Sequence, residues 1–220
     1  MPKQWELRSY TEEEEQVAST LAKQLGLYPV VGRLLVARGI RTMADAEAFL
    51  SPSLDALHDP LLMQDMPLAL ERVELALKRK EKILIYGDYD VDGTTAVALL
   101  YRYLRDHFVP EEQLAYYIPD RYGITQQGID QAHHMGAGLI IAVDTGIKAI
   151  EEIDYAQSLG IDVIICDHHT PAETLPHAVA ILNPKRVDNS YPFTDLSGCG
   201  VAFKLSPHDA DLPLKPSSPY

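Results

Sequence analysis

The stretch Ile83-Leu84-Ile85-Tyr86-Gly87-Asp88-Tyr89-Asp90-Val91-Asp92-Gly93-Thr94-Thr95 decides the fold. An apolar, β-prone run feeds three carboxylates at alternating positions, then Gly93 and two threonines, and a helix-like segment follows. Side chains of an extended segment alternate between its two faces, so the spacing predicts that Asp88, Asp90 and Asp92 project to one side. Carboxylates gathered in this way repel one another unless a cation sits among them. Open α/β sheets hold their ligands at the carboxyl ends of strands, and the stretch therefore reads as half of a metal site.

Downstream the pattern repeats. Residues 94–105 carry Val97, Leu100 and Leu104 on one side of a helix. Residues 114–118 and 138–143 read as strands, the second ending on Asp144, and residues 146–159 as a helix closed by Gly160. Residues 161–166 make a fourth strand, ending on Asp167-His168-His169, and residues 179–182 a fifth. Nearly continuous apolar strands alternating with helices predict an α/β fold, a doubly wound parallel sheet covered on both faces.

Upstream the pattern is helical. Thr11-Glu12-Glu13-Glu14 has the form of a capping box, and Val17, Leu21 and Leu25 follow at four-residue spacing until Gly26. The acidic run suits the positive end of the helix dipole as a solvated first turn. Residues 30–36 and 42–50 read as two short helices, with Gly39 between them and Thr42 as an N-cap. Arg33, Arg38 and Arg41 read as a solvated face. Asp65 is expected to cap a helix running to about residue 80, with Met66, Leu70, Val73 and Leu77 along one stripe. The expected organisation is a helical preface over residues 1–80, a catalytic-type α/β domain over 81–205, and a disordered tail over 206–220.

Net charge over the 220 residues is −13, which taken alone argues against a nucleic-acid partner. Part of the excess sits in Glu12, Glu13, Glu14 and Glu15 and in carboxylates that a metal would neutralise, so charge does not decide the substrate. No apolar run reaches transmembrane length, and the N-terminus lacks the basic-then-apolar layout of a secretory signal. No membrane partner is expected. The two cysteines are Cys166 and Cys199; Cys166 closes an apolar strand and reads as a reduced thiol, which points to the cytoplasm.

Three separated strands end in acid or histidine: Asp88/Asp90/Asp92, Asp144, and Asp167/His168/His169. In a parallel sheet these ends share one rim, and an oxygen-rich set with one or two imidazoles suits Mn²⁺ or Mg²⁺ better than structural zinc. Blander readings exist for each. An EF-hand loop opening at Asp88 fails because position twelve, where a bidentate Glu belongs, is Leu99. Asp144 alone would serve equally well as a helix cap. His133-His134 follow a helix-like segment and read as surface residues. A sharper competitor is Asp90-Val91-Asp92-Gly93-Thr94, which matches the DxDGT signature of haloacid-dehalogenase-type phosphatases. There Asp90 would be the nucleophile, Asp92 the general acid and Thr145 the second motif. That reading finds no convincing later Lys and acidic pair, and gives Asp167-His168-His169 no role.

Gly87-Asp88-Tyr89-Asp90-Val91-Asp92-Gly93 together with Asp167-His168-His169 resembles the DHH phosphoesterase superfamily and, within it, the RecJ-type single-stranded-DNA exonucleases. The resemblance runs from about Tyr28 to Leu205. It takes in Arg33 to Ile40, Asp59 to Met66, Ile118-Pro119-Asp120-Arg121, and Ser197-Gly198-Cys199-Gly200-Val201-Ala202-Phe203-Lys204-Leu205. It implies Asp90, Asp92 and His168 as metal ligands, Asp144 as the carboxylate bridging two Mn²⁺ or Mg²⁺ ions, and Asp88 as a ligand or a tuner of its neighbours. His169 would contact the scissile phosphate and Asp167 would orient an imidazole. Arg121, Lys185 and Arg186 would engage the DNA backbone or be plain surface charge. The implied activity is two-metal hydrolysis releasing nucleotides from the 5′ end of single-stranded DNA, in repair and recombination.

Two departures from that family carry expectations of their own. After Arg121, Tyr122-Gly123-Ile124 preserves only a trace of the family's Glu-Gly-Tyr-Gly-like turn, which bears on substrate positioning. Residues 206–220 hold four prolines where the family continues a helix toward a fourth acidic motif and a second lobe. The tail reads as frameshifted sequence or an artificial end, and exonuclease activity is expected to be impaired. An inert remnant that binds metal without hydrolysis is the non-enzyme alternative.

Overall fold

The computed structural model describes residues 6–206. By its contacts the chain divides into two compact units between Leu57 and His58. The first unit contains α1 (Glu12–Gln24), α2 (Pro29–Ala37) and α3 (Met43–Leu50), packed around Ala18, Leu21, Leu35, Val36 and Ala46. Both bonds of the capping box at Thr11 form: the Glu14 amide donates to Thr11 Oγ1 at 3.2 Å, and the Thr11 amide to Glu14 Oε2 at 3.1 Å. Thr42 caps α3 by accepting from the Asp45 amide. Gly39, at a φ of +80°, makes the left-handed turn that separates α2 from α3. Arg33 and Arg41 pair with Glu15 and Glu14, in keeping with a solvated, ion-paired surface.

The second unit holds α4 (Met66–Arg79), β1 (Lys82–Tyr86), α5 (Val91–His107), β2 (Leu114–Tyr117) and α6 (Gln126–His134). It continues through β3 (Ala137–Val143), α7 (Ile150–Ser158), β4 (Asp162–Cys166), β5 (Ala180–Leu182) and α8 (Gly198–Leu205). The strands form one sheet in the order β2-β1-β3-β4-β5, every pair parallel. Alternation along each strand divides the core in two. Ile83, Ile85, Leu139, Ile141, Ile164 and Leu182 face α4, α5 and α8. Leu84, Tyr86, Ile140, Ala142, Ile165 and Ile181 face α6 and α7. This is the doubly wound α/β sheet that the apolar strands predict, and β1 and β3 flank the switch point where such sheets open a crevice.

Several boundaries differ from the sequence expectation, each for a physical reason. Helix α4, expected in the preface, packs its Met66, Ala69, Leu70, Val73 and Ala76 into the core beneath the sheet. Asp65 stands at its N-cap position but makes no capping bond. At a φ of 63° it instead turns its carboxylate to the Ile181 amide and the Arg186 guanidinium, fastening the edge strand β5. Helix α5 begins at Val91, three residues earlier than expected, because Asp90 caps it through the Gly93 amide at 2.9 Å. Helix α7 begins only at Ile150, leaving residues 144–149 as a loop at the rim. The expected tail lies outside the described residues from position 207 onward.

Candidate metal centre

The carboxyl ends of β1, β3 and β4 converge as expected, but the three aspartates after β1 do not project together from an extended strand. The strand ends at Tyr86. Asp88 lies in the turn, Asp90 is the N-cap of α5 and Asp92 sits in its first turn. Gly93 is needed where the turn closes: a Cβ there would lie 2.6–2.7 Å from the backbone and Cβ of Asp88. Helix geometry therefore separates the three. Ligand atoms of Asp88, Asp90 and Asp144 fall within 4.8 Å of one another, and so do those of Asp144, His168 and His169. Asp144 belongs to both groups.

Asp144 follows β3 directly, buried, with a φ of 61° that non-glycine residues rarely adopt. Such strain, of order 1–3 kcal/mol, gathers where function demands a particular direction. Its amide pairs with Cys166 in register with β4, while its carboxylate makes no helix cap: the residue at the cap of α7 is Ala149. His168 Nε2 lies 3.2 Å from Asp144 Oδ1 and 3.7 Å from Asp92 Oδ2. The alignment to Asp144 is not that of a hydrogen bond, and Asp144 Oδ1 is a buried oxygen without a hydrogen-bond partner, as is Asp88 Oδ2. Burial, followed by the charges of Asp92 and Asp90, pushes the Asp144 carboxyl up to about 7. Burial and the neighbouring Asp90 likewise raise Asp88. Orphaned carboxylate oxygens beside an imidazole are the donor set of a hard or borderline divalent cation, and the residues present fit one.

Asp92 is held differently. Its two oxygens accept the amides of Gly198 and Cys199, at 2.7 and 2.8 Å, from the first turn of α8. Asp167 is buried and satisfied on both oxygens. Oδ1 accepts from the amides of His168 and His169 and lies 2.7 Å from His169 Nδ1, while Oδ2 accepts from the Ile147 amide at 3.0 Å. Burial alone would raise this carboxyl, but those hydrogen bonds outweigh it and hold it below its usual range. The bond to Asp167 in turn raises the His169 imidazole. His169 Nε2 meets the Tyr122 hydroxyl at 2.8 Å, and Asn183 donates to the His169 carbonyl. With Asp167 ionised, Nδ1 carries the ring proton and Nε2 accepts from Tyr122. Tyr122 and His169 border a cleft of about 290 Å³ that extends along the 145–149 loop.

Of the remaining candidates, Arg121 and Lys185 are exposed, and Arg121 does not line that cleft. Arg186 is not a free surface cation: its guanidinium binds Asp65, Asp188 and the Ile181 carbonyl. His133 and His134 lie exposed in the last turn of α6, away from the two ligand groups. Sequence reasoning did not single out Tyr122 as a partner of His169, nor the paired amides of Gly198 and Cys199. The second had a visible signal, since Ser197 before an apolar run marks a helix start whose amides face outward.

A parallel 2-1-3-4-5 sheet with an Asp-rich first turn and an Asp-His-His strand end defines a class of metal-dependent phosphoesterase folds. The DHH family, N-terminal domain, matches residues 82–217, and the chain belongs to that family. It is 41% identical over 206 residues to the single-stranded-DNA-specific exonuclease RecJ of Bacillus subtilis, covering 92% of this chain and 25% of that protein. With RecJ of Escherichia coli it shares 37% over 186 residues, 81% of this chain and 31% of that protein. Among solved structures it resembles RecJ in complex with Mn²⁺ from Thermus thermophilus, with a TM-score of 0.65 and 26% identity, covering 87% of this chain and 26% of that one. The chain thus spans about a quarter to a third of the length of these relatives.

Proposed function

We propose that the protein hydrolyses phosphodiester bonds of single-stranded DNA from the 5′ end, in DNA repair and recombination, with one or two Mn²⁺ or Mg²⁺ ions. Asp88, Asp90, Asp144 and His168 would hold the ions, with Asp92 beside them, its Oδ2 3.7 Å from the same His168 Nε2 that faces Asp144. The observation that carries this reading is the convergence of three strand ends on Asp144, whose buried oxygen has no protein partner. The names of the relatives supply the substrate class.

Bound cations supply Lewis acidity toward a phosphoryl oxygen and a water of lowered pKa. The chain's own residues do the rest. Asp167 fixes the His169 ring through Nδ1 and favours its protonated form, and Nε2, beside the Tyr122 hydroxyl, would then be the nitrogen that donates to a phosphoryl oxygen. Asp92, committed to two amides, is poorly placed to act as the general acid that a haloacid-dehalogenase mechanism requires. Among the described residues no helix is long and apolar enough to cross a membrane, and both cysteines are free thiols, which supports a cytoplasmic setting.

The test is nucleotide release from a single-stranded oligonucleotide labelled at its 5′ end, with Mn²⁺ present. The expected result is release from the single strand ahead of the duplex, abolished by Asp144→Ala. Equal release from both substrates, or release undiminished by Asp144→Ala, contradicts the proposal.

A further inference from the structure

Helix α8 carries none of the candidate ligands, yet its first turn lies against two of them. The Gly198 and Cys199 amides grip both oxygens of Asp92. A Cβ on Gly198 would overlap Asp144 Oδ1 and lie 2.5 Å from the Asp144 Cβ. Ser197 caps the helix by accepting from the Gly200 amide at 3.1 Å, and Val201, Ala202 and Leu205 anchor its other end in the core. A carboxylate that accepts two amides from one helix end cannot rotate without breaking both bonds.

We infer that Gly198 is a positioning residue of the metal centre: with the Cys199 amide it fixes the Asp92 carboxylate, and by lacking a Cβ it leaves Asp144 Oδ1 free to face a cation. The inference rests on the metal-centre reading of Asp144. It assigns to α8, rather than to the aspartates themselves, control over how closely β1 and β3 present their acids.

Mn²⁺ titration calorimetry on the 220-residue chain tests it, with thermal melting of the metal-free protein beside each titration. Gly198→Ala is expected to weaken Mn²⁺ binding by about tenfold or more, the range typical of groups that orient ligands, and to lower the metal-free melting temperature as well, because its methyl group must displace Asp144. Ser197→Ala, on an exposed residue that touches no ligand, is expected to weaken binding a few-fold, at about the scale of one lost cap. Ser197→Thr restores the acceptor and should restore the affinity. Wild-type affinity in Gly198→Ala overturns the inference. Should that variant not fold, undiminished binding by Ser197→Ala overturns it instead. A wild-type chain that takes up no Mn²⁺ overturns the metal-centre reading itself, and with it the inference; that result is distinct from a wild type that binds and variants that bind equally well.

Discussion

The two ends of the parallel sheet both gather carboxylates, and they treat them in opposite ways. At the amino end, Glu81 and Asp162 flank Arg72, which reaches them at 2.6 and 2.5 Å and also donates to the Gly138 carbonyl. At the carboxyl end, Asp88, Asp90, Asp92 and Asp144 have no lysine or arginine ion-pair partner among the described residues. The partly exposed acids at the amino end are given a guanidinium. Asp144, buried and without one, its carboxyl pushed up to about 7 by burial first and then by the charges of Asp92 and Asp90, is poised for a cation from outside the chain.

The comparison can be broken most forcefully at Asp144. A cation that binds only the folded chain stabilises it by about 2.7 kcal/mol at a hundred times its dissociation constant. Thermal melts with and without Mn²⁺ should show that gain in the wild type and lose it in Asp144→Ala, whose metal-free form should be at least as stable as the wild type. The opposite end should respond in the opposite sense. Arg72→Met is expected to cost roughly 2 kcal/mol, discounted from a fully buried pair because Asp162 is half exposed, measured by urea denaturation. Its Mn²⁺ affinity should be unchanged. Tyr122→Phe removes one hydrogen bond to His169, and about 1 kcal/mol of positioning corresponds to roughly a fivefold loss in hydrolysis rate without loss of metal affinity.

A further effect is a slope with pH. Burial raises the folded-state carboxyl of Asp144 to about 7 from a usual value near 3.8. Its ionised form therefore weakens the metal-free fold above pH 7, and that penalty fades as pH falls from about 7 toward 4. Urea midpoints in the presence of a chelator should rise over that interval from this group, and the rise should be missing in Asp144→Asn. Mn²⁺ affinity runs the other way, falling as protons compete for the same oxygens.

The sheet was legible because runs such as Ile83 to Tyr86 and Val163 to Cys166 are apolar on both faces, a pattern that only a doubly covered strand tolerates. The meeting of Asp144 and Asp167-His168-His169 at one rim was legible for the same reason: each acid follows directly on such a run. The Asp88-Asp90-Asp92 spacing misled, because alternation applies only while the chain stays extended, and Asp90 with Gly93 starts a helix instead. Asp65 misled similarly, since its carboxylate finds Arg186 more than a hundred residues away, and no local pattern records such a partner. The grip of α8 on Asp92 is also long-range: Ser197 marks where the helix starts, but no local pattern records which carboxylate its first amides meet.

The central claim is that the acids at the carboxyl end of the sheet await a cation, while those at the amino end already have theirs. Crystals grown with Mn²⁺ and measured at the manganese absorption edge test it directly. The account predicts an anomalous peak among Asp90, Asp144 and His168 and none beside Arg72. No peak at the Asp144 carboxylate, or manganese bound only elsewhere on the chain, would contradict it.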